Sequence, residues 1–111
     1  MASYLILISN APDTKNFNRA FSTAGSLRDD ENDVSLFFIQ DGVRAAIDRD
    51  RLIKRELDKL INSGVKCYAL DEDLRLRGFE KGMLLPEIIP TGYSELLDLM
   101  AAEGVSTIGA F

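Results

Sequence analysis

Apolar residues in this chain form two kinds of segment, short continuous runs and stripes at helical spacing, and the two alternate from end to end. Tyr4 to Ile8 (YLILI) is a continuous run bounded by Ser9-Asn10 and Pro12-Asp13, which predicts a buried strand. Pro12 and Asp13 are suited to opening a helix. Phe17, Ala20, Phe21, Ala24 and Leu27 then follow as one apolar stripe. After the charged turn Arg28-Asp29-Asp30-Glu31-Asn32-Asp33, Val34 to Ile39 (VSLFFI) reads as a second buried strand. Asp41-Gly42 follows at once. Val43 to Ile61 reads as helix, its first part a separate turn over Val43 to Ile47. Leu52, Ile53, Leu57, Leu60 and Ile61 share one face of it, and Asn62-Ser63-Gly64 is a stop.

Val65 to Leu70 (VKCYAL) is the third strand, and Asp71-Glu72-Asp73 opens a short helix with its acids at the positive end of the dipole. Asp71 with Arg75, and Asp73 with Arg77, stand at i,i+4 in the favoured order of signs, and Gly78 ends the helix. Phe79 to Pro86 is a loop with an apolar centre, Met83-Leu84-Leu85, and Glu87 to Pro90 a short strand. Tyr93 to Glu103 predicts a helix with Leu96, Leu97, Met100 and Ala101 inward, closed by Gly104 and followed by a final strand from Val105 to Ala110.

Strands that are continuous rather than alternating in apolar character favour a parallel sheet covered on both faces. Right-handed crossovers then give an α/β fold, a three-layer α/β/α sandwich with a mostly parallel sheet of about five strands. Residues 1–111 fit a single domain, with no internal repeat, linker or low-complexity segment. Ligands of such sheets bind outside the carboxyl ends of the strands, here Ser9-Asn10, Gln40-Asp41-Gly42 and Asp71-Glu72-Asp73.

Composition narrows the chemistry. The chain has no His and one Cys, so it holds no Ser-His-Asp triad, no imidazole metal ligand, no intrachain disulfide and no thiolate zinc site. The net charge of −5 argues against a phosphate-tracking surface, and no direct nucleic-acid binding is expected. No apolar run is long enough to span a membrane. Met1-Ala2-Ser3 lacks the basic region of a signal peptide, and with a lone Cys this points to a reducing cytoplasm.

The loop from Ser9 to Lys15 sits where phosphates would be cradled, yet it has no glycine to let the backbone approach them. Turn chemistry accounts for Asp41 and Gly42, with Gly at positive φ and Asp capping the next helix. Three consecutive acids at a helix start point in different directions, so Asp71, Glu72 and Asp73 do not converge on a cation; no metal and no cofactor is expected. Cys67 is the only candidate nucleophile, but it lies mid-strand on one face with Val65 and Ala69, where a small buried apolar residue is the simpler reading. Phe79, Met83, Leu84 and Leu85 either fold back over their own sheet or form an interface with another subunit.

The segment Leu36-Phe37-Phe38-Ile39-Gln40-Asp41-Gly42-Val43 resembles the strand-then-DGV signature of the DsrE/DsrF/DsrH-like (YchN-like) small sulfur-relay proteins. Gly64 to Gly78 is similar to that family's third strand and following helix with its Arg-Gly pair, here Arg77-Gly78, and Tyr93 to Leu99 also resembles it. The resemblance implies homo-oligomers (trimers or hexamers) or hetero-oligomers with related sulfur-relay subunits, serving tRNA wobble-uridine thiolation or sulfur oxidation. It also implies a carrier cysteine just past the third strand, where this chain has Leu70-Asp71-Glu72-Asp73, acids that would repel a persulfide anion. In this it is nearest to the DsrH-like branch, whose members can lack the carrier cysteine.

The expected role is therefore a non-catalytic subunit of such an oligomer. Asn10, Asp41, Gly42, Asp71, Arg77 and Gly78 would shape the crevice, with Phe79, Met83, Leu84 and Leu85 at the interface. The alternatives are an active sulfurtransferase carrying persulfide on Cys67, and a small-ligand or nucleotide-binding module at the carboxyl edge of the sheet.

Overall fold

The computed structural model describes residues 2–47 and 51–109. Strands β1 (Ser3–Ile8), β2 (Asp33–Phe38), β3 (Lys66–Leu70), β4 (Ile88–Thr91) and β5 (Val105–Ile108) form one sheet in the order β4-β3-β2-β1-β5. Every neighbouring pair is parallel. Helices α1 (Lys15–Asp29), α2 (Arg51–Asn62), α3 (Asp71–Leu76) and α4 (Tyr93–Ala101) connect them, with 3-10 helices at Gln40–Ala46 and Lys81–Met83.

The strand order decides which face each helix covers. From β1 to β4 the chain advances in one direction, so right-handed crossovers keep α1 and α2 on one face. The return from β4 to β5, on the far side of β1, puts α4 on the other face. The cores follow. Phe17, Ala20, Phe21 and Ala24 of α1 and Leu57 and Leu60 of α2 bury Ile6, Ile8, Leu36, Phe38, Cys67 and Ala69. On the opposite face, Leu96 of α4 packs with Leu5, Phe37 and Leu70.

Helix boundaries follow local chemistry. Helix α1 starts at Lys15 rather than at Pro12-Asp13, because the Thr14 hydroxyl accepts the Phe17 N–H at 3.3 Å and so caps the first turn. Gly64, Gly78 and Gly104 stand at φ of +106°, +74° and +80° and terminate α2, α3 and α4. The predicted Val43–Ile61 helix resolves into the 3-10 segment and α2, and residues 48–50 between them lie outside the described residues, as does Ala110 of the predicted last strand. One expectation fails on α4. Leu96 is buried, but Leu97, Met100 and Ala101 point outward, because the inward stripe is Leu96 with Leu99.

Phe38 is fully buried and stacks on Phe17, with ring centroids 6.1 Å apart. Phe38→Ala should cost about 3–5 kcal/mol, and exposed Leu97→Ala under ~0.5 kcal/mol, as read from urea denaturation midpoints.

Candidate functional site

The carboxyl edge of the sheet is organised by the turn after β2. The Ile39 N–H donates to the Ile8 carbonyl at 2.9 Å, and the Gly42 N–H donates to the Ile39 carbonyl at 2.9 Å. A Cβ on residue 42 would stand 2.1 Å from the Ile8 carbonyl oxygen, so glycine is required by close approach. The positive φ of this turn belongs to Gln40, at +48°, and not to Gly42. That left-handed residue is secured by a side chain from another element. The Gln40 N–H donates to Asp73 Oδ2 at 2.6 Å, and Asp73 is buried.

The turn also delivers Asp41 to α3. Arg77 donates to Asp41 Oδ1 through Nη2 at 3.1 Å and Nε at 3.3 Å, and through Nη1 to the Asp73 carbonyl at 3.2 Å. Arg44 Nε stands 3.8 Å from the same Asp41 oxygen. The Arg44 guanidinium also lies over the Phe79 ring, 5.9 Å from its centroid. Asp41 thus pairs with arginines from inside the first turn of the 3-10 helix, whose N-cap position is Ile39, and is not its cap.

Asp41, Gly42 and Arg77 are brought together, and Asn10 borders them through its backbone carbonyl, whose oxygen lies 3.5 Å from where a Cβ on residue 42 would stand. Asp71 turns away and pairs with Arg75 at 3.2 Å, the i,i+4 pair read from the sequence. Gly78 ends α3, its N–H donating to the Arg75 carbonyl. Gln40, Asp73 and Arg44 complete the cluster and were not among the expected crevice residues. The signals for Asp73 were its i,i+4 spacing to Arg77 and its place at the carboxyl end of the third strand, which Gln40 shares at the end of the second. Among the described residues, no group of three or more acids and thiols could hold a metal ion.

The loop after α3 lies against its own chain. The Leu85 N–H donates to the Ala46 carbonyl at 2.8 Å, Leu85 joins the larger core, and Phe79 and Leu84 pack against it. Met83 is 42% exposed, and its sulfur accepts the Glu80 N–H at 3.4 Å. Cys67 is 1% exposed and lies in register between Leu36 and Ile88. Burial, with a smaller contribution from the Glu87 charge, pushes its thiol from 9.0 up to about 12. The thiolate is therefore scarce at neutral pH and without access to an electrophile. No helix among the described residues is long and apolar enough to cross a membrane.

Removing the Asp73 carboxylate leaves the Gln40 N–H without its acceptor. Asp73→Ala should therefore lose about 1–3 kcal/mol in urea denaturation. The native Cys67 thiol should resist iodoacetamide at pH 8 and react fully once the chain is unfolded in guanidinium. Because its folded pKa is raised, the stability linked to this thiol is present below pH 9.0 and lost as the pH climbs towards about 12. Cys67→Ala should flatten the alkaline fall in melting temperature.

A family described as DsrH like protein matches residues 16–105. A stretch of 64 residues is 44% identical to Protein TusB of Shigella flexneri, covering 58% of this chain and 62% of that protein. Protein TusB of Escherichia coli O9:H4 (strain HS) is 42% identical over 64 residues with the same coverage. The match thus spans less than two thirds of those relatives' length. The ychN protein from E. coli superposes with a TM-score of 0.84 at 22% identity, over 97% of this chain and 100% of that one. MTH1491 from Methanobacterium thermoautotrophicum gives 0.80 at 19% identity, over 97% and 99%. Those two structures share the parallel α/β fold with this chain, and the match over residues 16–105 places it in a family: the chain belongs to the DsrH-like proteins.

Proposed function

We propose that this protein is a non-catalytic subunit of a cytoplasmic sulfur-relay oligomer, assembled with related relay subunits and serving tRNA wobble-uridine thiolation or sulfur oxidation. Its likeness to the TusB proteins and its DsrH-like family support the relay setting. The observation that carries the non-catalytic part is the state of the only thiol. Cys67 is buried in the core with its pKa raised, and the corner where the resembling relay proteins keep a carrier cysteine is acidic. There Asp73 holds the Gln40 turn and Asp71 pairs with Arg75, so both carboxylates have structural partners. A persulfide anion placed at that corner would meet negative charge.

Deletion of the gene should lower 2-thiouridine in tRNA, measured by nucleoside mass spectrometry, if the relay serves thiolation. Wild type and Cys67→Ala should restore it equally. A folded Cys67→Ala protein that fails to restore thiolation, or a protein persulfide on Cys67 after incubation with a cysteine desulfurase, would establish Cys67 as the carrier instead. Unchanged thiolation in the deletion strain would remove the tRNA role.

A further inference from the structure

The carboxyl ends of β2, β3 and β4 lie side by side, with Phe38 beside Ala69 and Leu70 beside Thr91. Each strand end continues into a different element: the Gln40 turn, α3 and α4. Helix α3 starts at Asp71, directly after the last residue of β3, so its first turn stands between the other two. Two consecutive side chains of that turn reach out to different neighbours. Asp73 Oδ2 accepts the Gln40 N–H at 2.6 Å, and Glu72 Oε2 accepts the Tyr93 N–H at 3.4 Å. The second contact serves the open end of α4, because Gly92 at its N-cap has no side chain to accept a bond.

The two contacts differ in strength. The Asp73 bond is short, and its carboxylate is buried and lies 3.8 Å from Arg77 Nη1. The Glu72 bond is long. Glu72 Oε1 is buried and accepts no hydrogen bond among the described residues, which costs desolvation. Glu95 brings a second carboxylate to the same place. Its Oε2 lies 2.9 Å, and Glu72 Oε2 3.9 Å, from where a Cβ on residue 92 would stand. Like charges so placed oppose each other. The Tyr93 N–H and the positive end of the α4 dipole offset these costs. A contact opposed in this way depends closely on where α3 holds Glu72, and the next residue, Asp73, ties that turn to Gln40.

We propose that the first turn of α3 is a coupling device. Asp73 anchors it to the left-handed Gln40 turn, Glu72 latches it to the start of α4, and the two ends open and close together. A disturbance at the Asp41 and Arg77 edge is thereby passed to α4, and by linkage the reverse. Amide hydrogen exchange followed by NMR reads both ends. One probe is the Gln40 N–H. The other is the Leu96 N–H, which donates to the Gly92 carbonyl at 3.1 Å and closes the first turn of α4. Asp73→Asn should speed exchange about fivefold or more at both. In a Glu72→Ala background it should still speed Gln40 and leave Leu96 unmoved, because the latch is gone. Asp71→Asn, which weakens only the Arg75 pair of the same turn, should move neither amide. If Asp73→Asn does not fold, the same comparison is made on Gln40→Gly, since glycine takes the left-handed turn without strain, with the same expectation at Leu96. A response confined to residue 40, a Leu96 response that is equal with and without Glu72, or an Asp71→Asn effect matching that of Asp73→Asn would overturn the proposal. So would equal acceleration at the Leu36 amide in the middle of β2, which marks global unfolding.

Discussion

The carbonyl oxygen of Ile8, at the end of β1, is the point against which the working edge of this fold is built. It accepts the Ile39 N–H and leaves no room for a Cβ at residue 42. The chain can therefore turn there only with glycine at 42, and Gln40 takes the left-handed conformation at φ +48°. A left-handed non-glycine residue carries a backbone cost of order 1–3 kcal/mol and persists where its surroundings hold it. Here the buried carboxylate of Asp73 does so, by accepting the Gln40 N–H. The same turn sets Asp41 within reach of Arg77 and Arg44. Sheet register, turn and α3 are thus one mechanical unit.

That unit gives two of the three acids at the start of α3 structural partners. Asp73 is committed to the Gln40 turn and to Arg77, and Asp71 to Arg75. The exposed arginine pairs contribute little individually. The buried Asp73 matters more, since leaving a buried donor unpaired costs the full desolvation of that group. The thiol of Cys67, by contrast, lies among the apolar residues of the larger core, where burial raises its pKa.

The two faces of the sheet are covered unequally for a topological reason. Three successive strand steps in one direction stack α1, α2 and the loop bearing Leu85 on one side. A single return crossing supplies the other side, and a nine-residue helix cannot cover five strands. Tyr68, Leu7 and Ile39 are consequently only partly buried there, and Ile89 is half-exposed.

Periodicity and turn chemistry were enough to read the order of strands and helices, the parallel sheet, the glycine stops and the Asp71–Arg75 pair, because each depends on residues within a turn or two of one another. The candidate site was legible only in part. Asp41 and Arg77 were singled out separately, but that they meet, 36 residues apart, and that Asp73 reaches back 33 residues to Gln40, depend on how β2 and β3 register. The outward turn of Leu97 and Met100 was likewise hidden. Apolar residues on α4 span an arc wider than one contact can bury, and the sequence pattern does not say which half meets the sheet. Local spacing determined the elements and their ends in this protein. The partners of Asp73, the approach of Glu87 to the already expected buried Cys67 and the half-covered face were decided by tertiary packing, since each is set by residues that only the sheet order brings into contact.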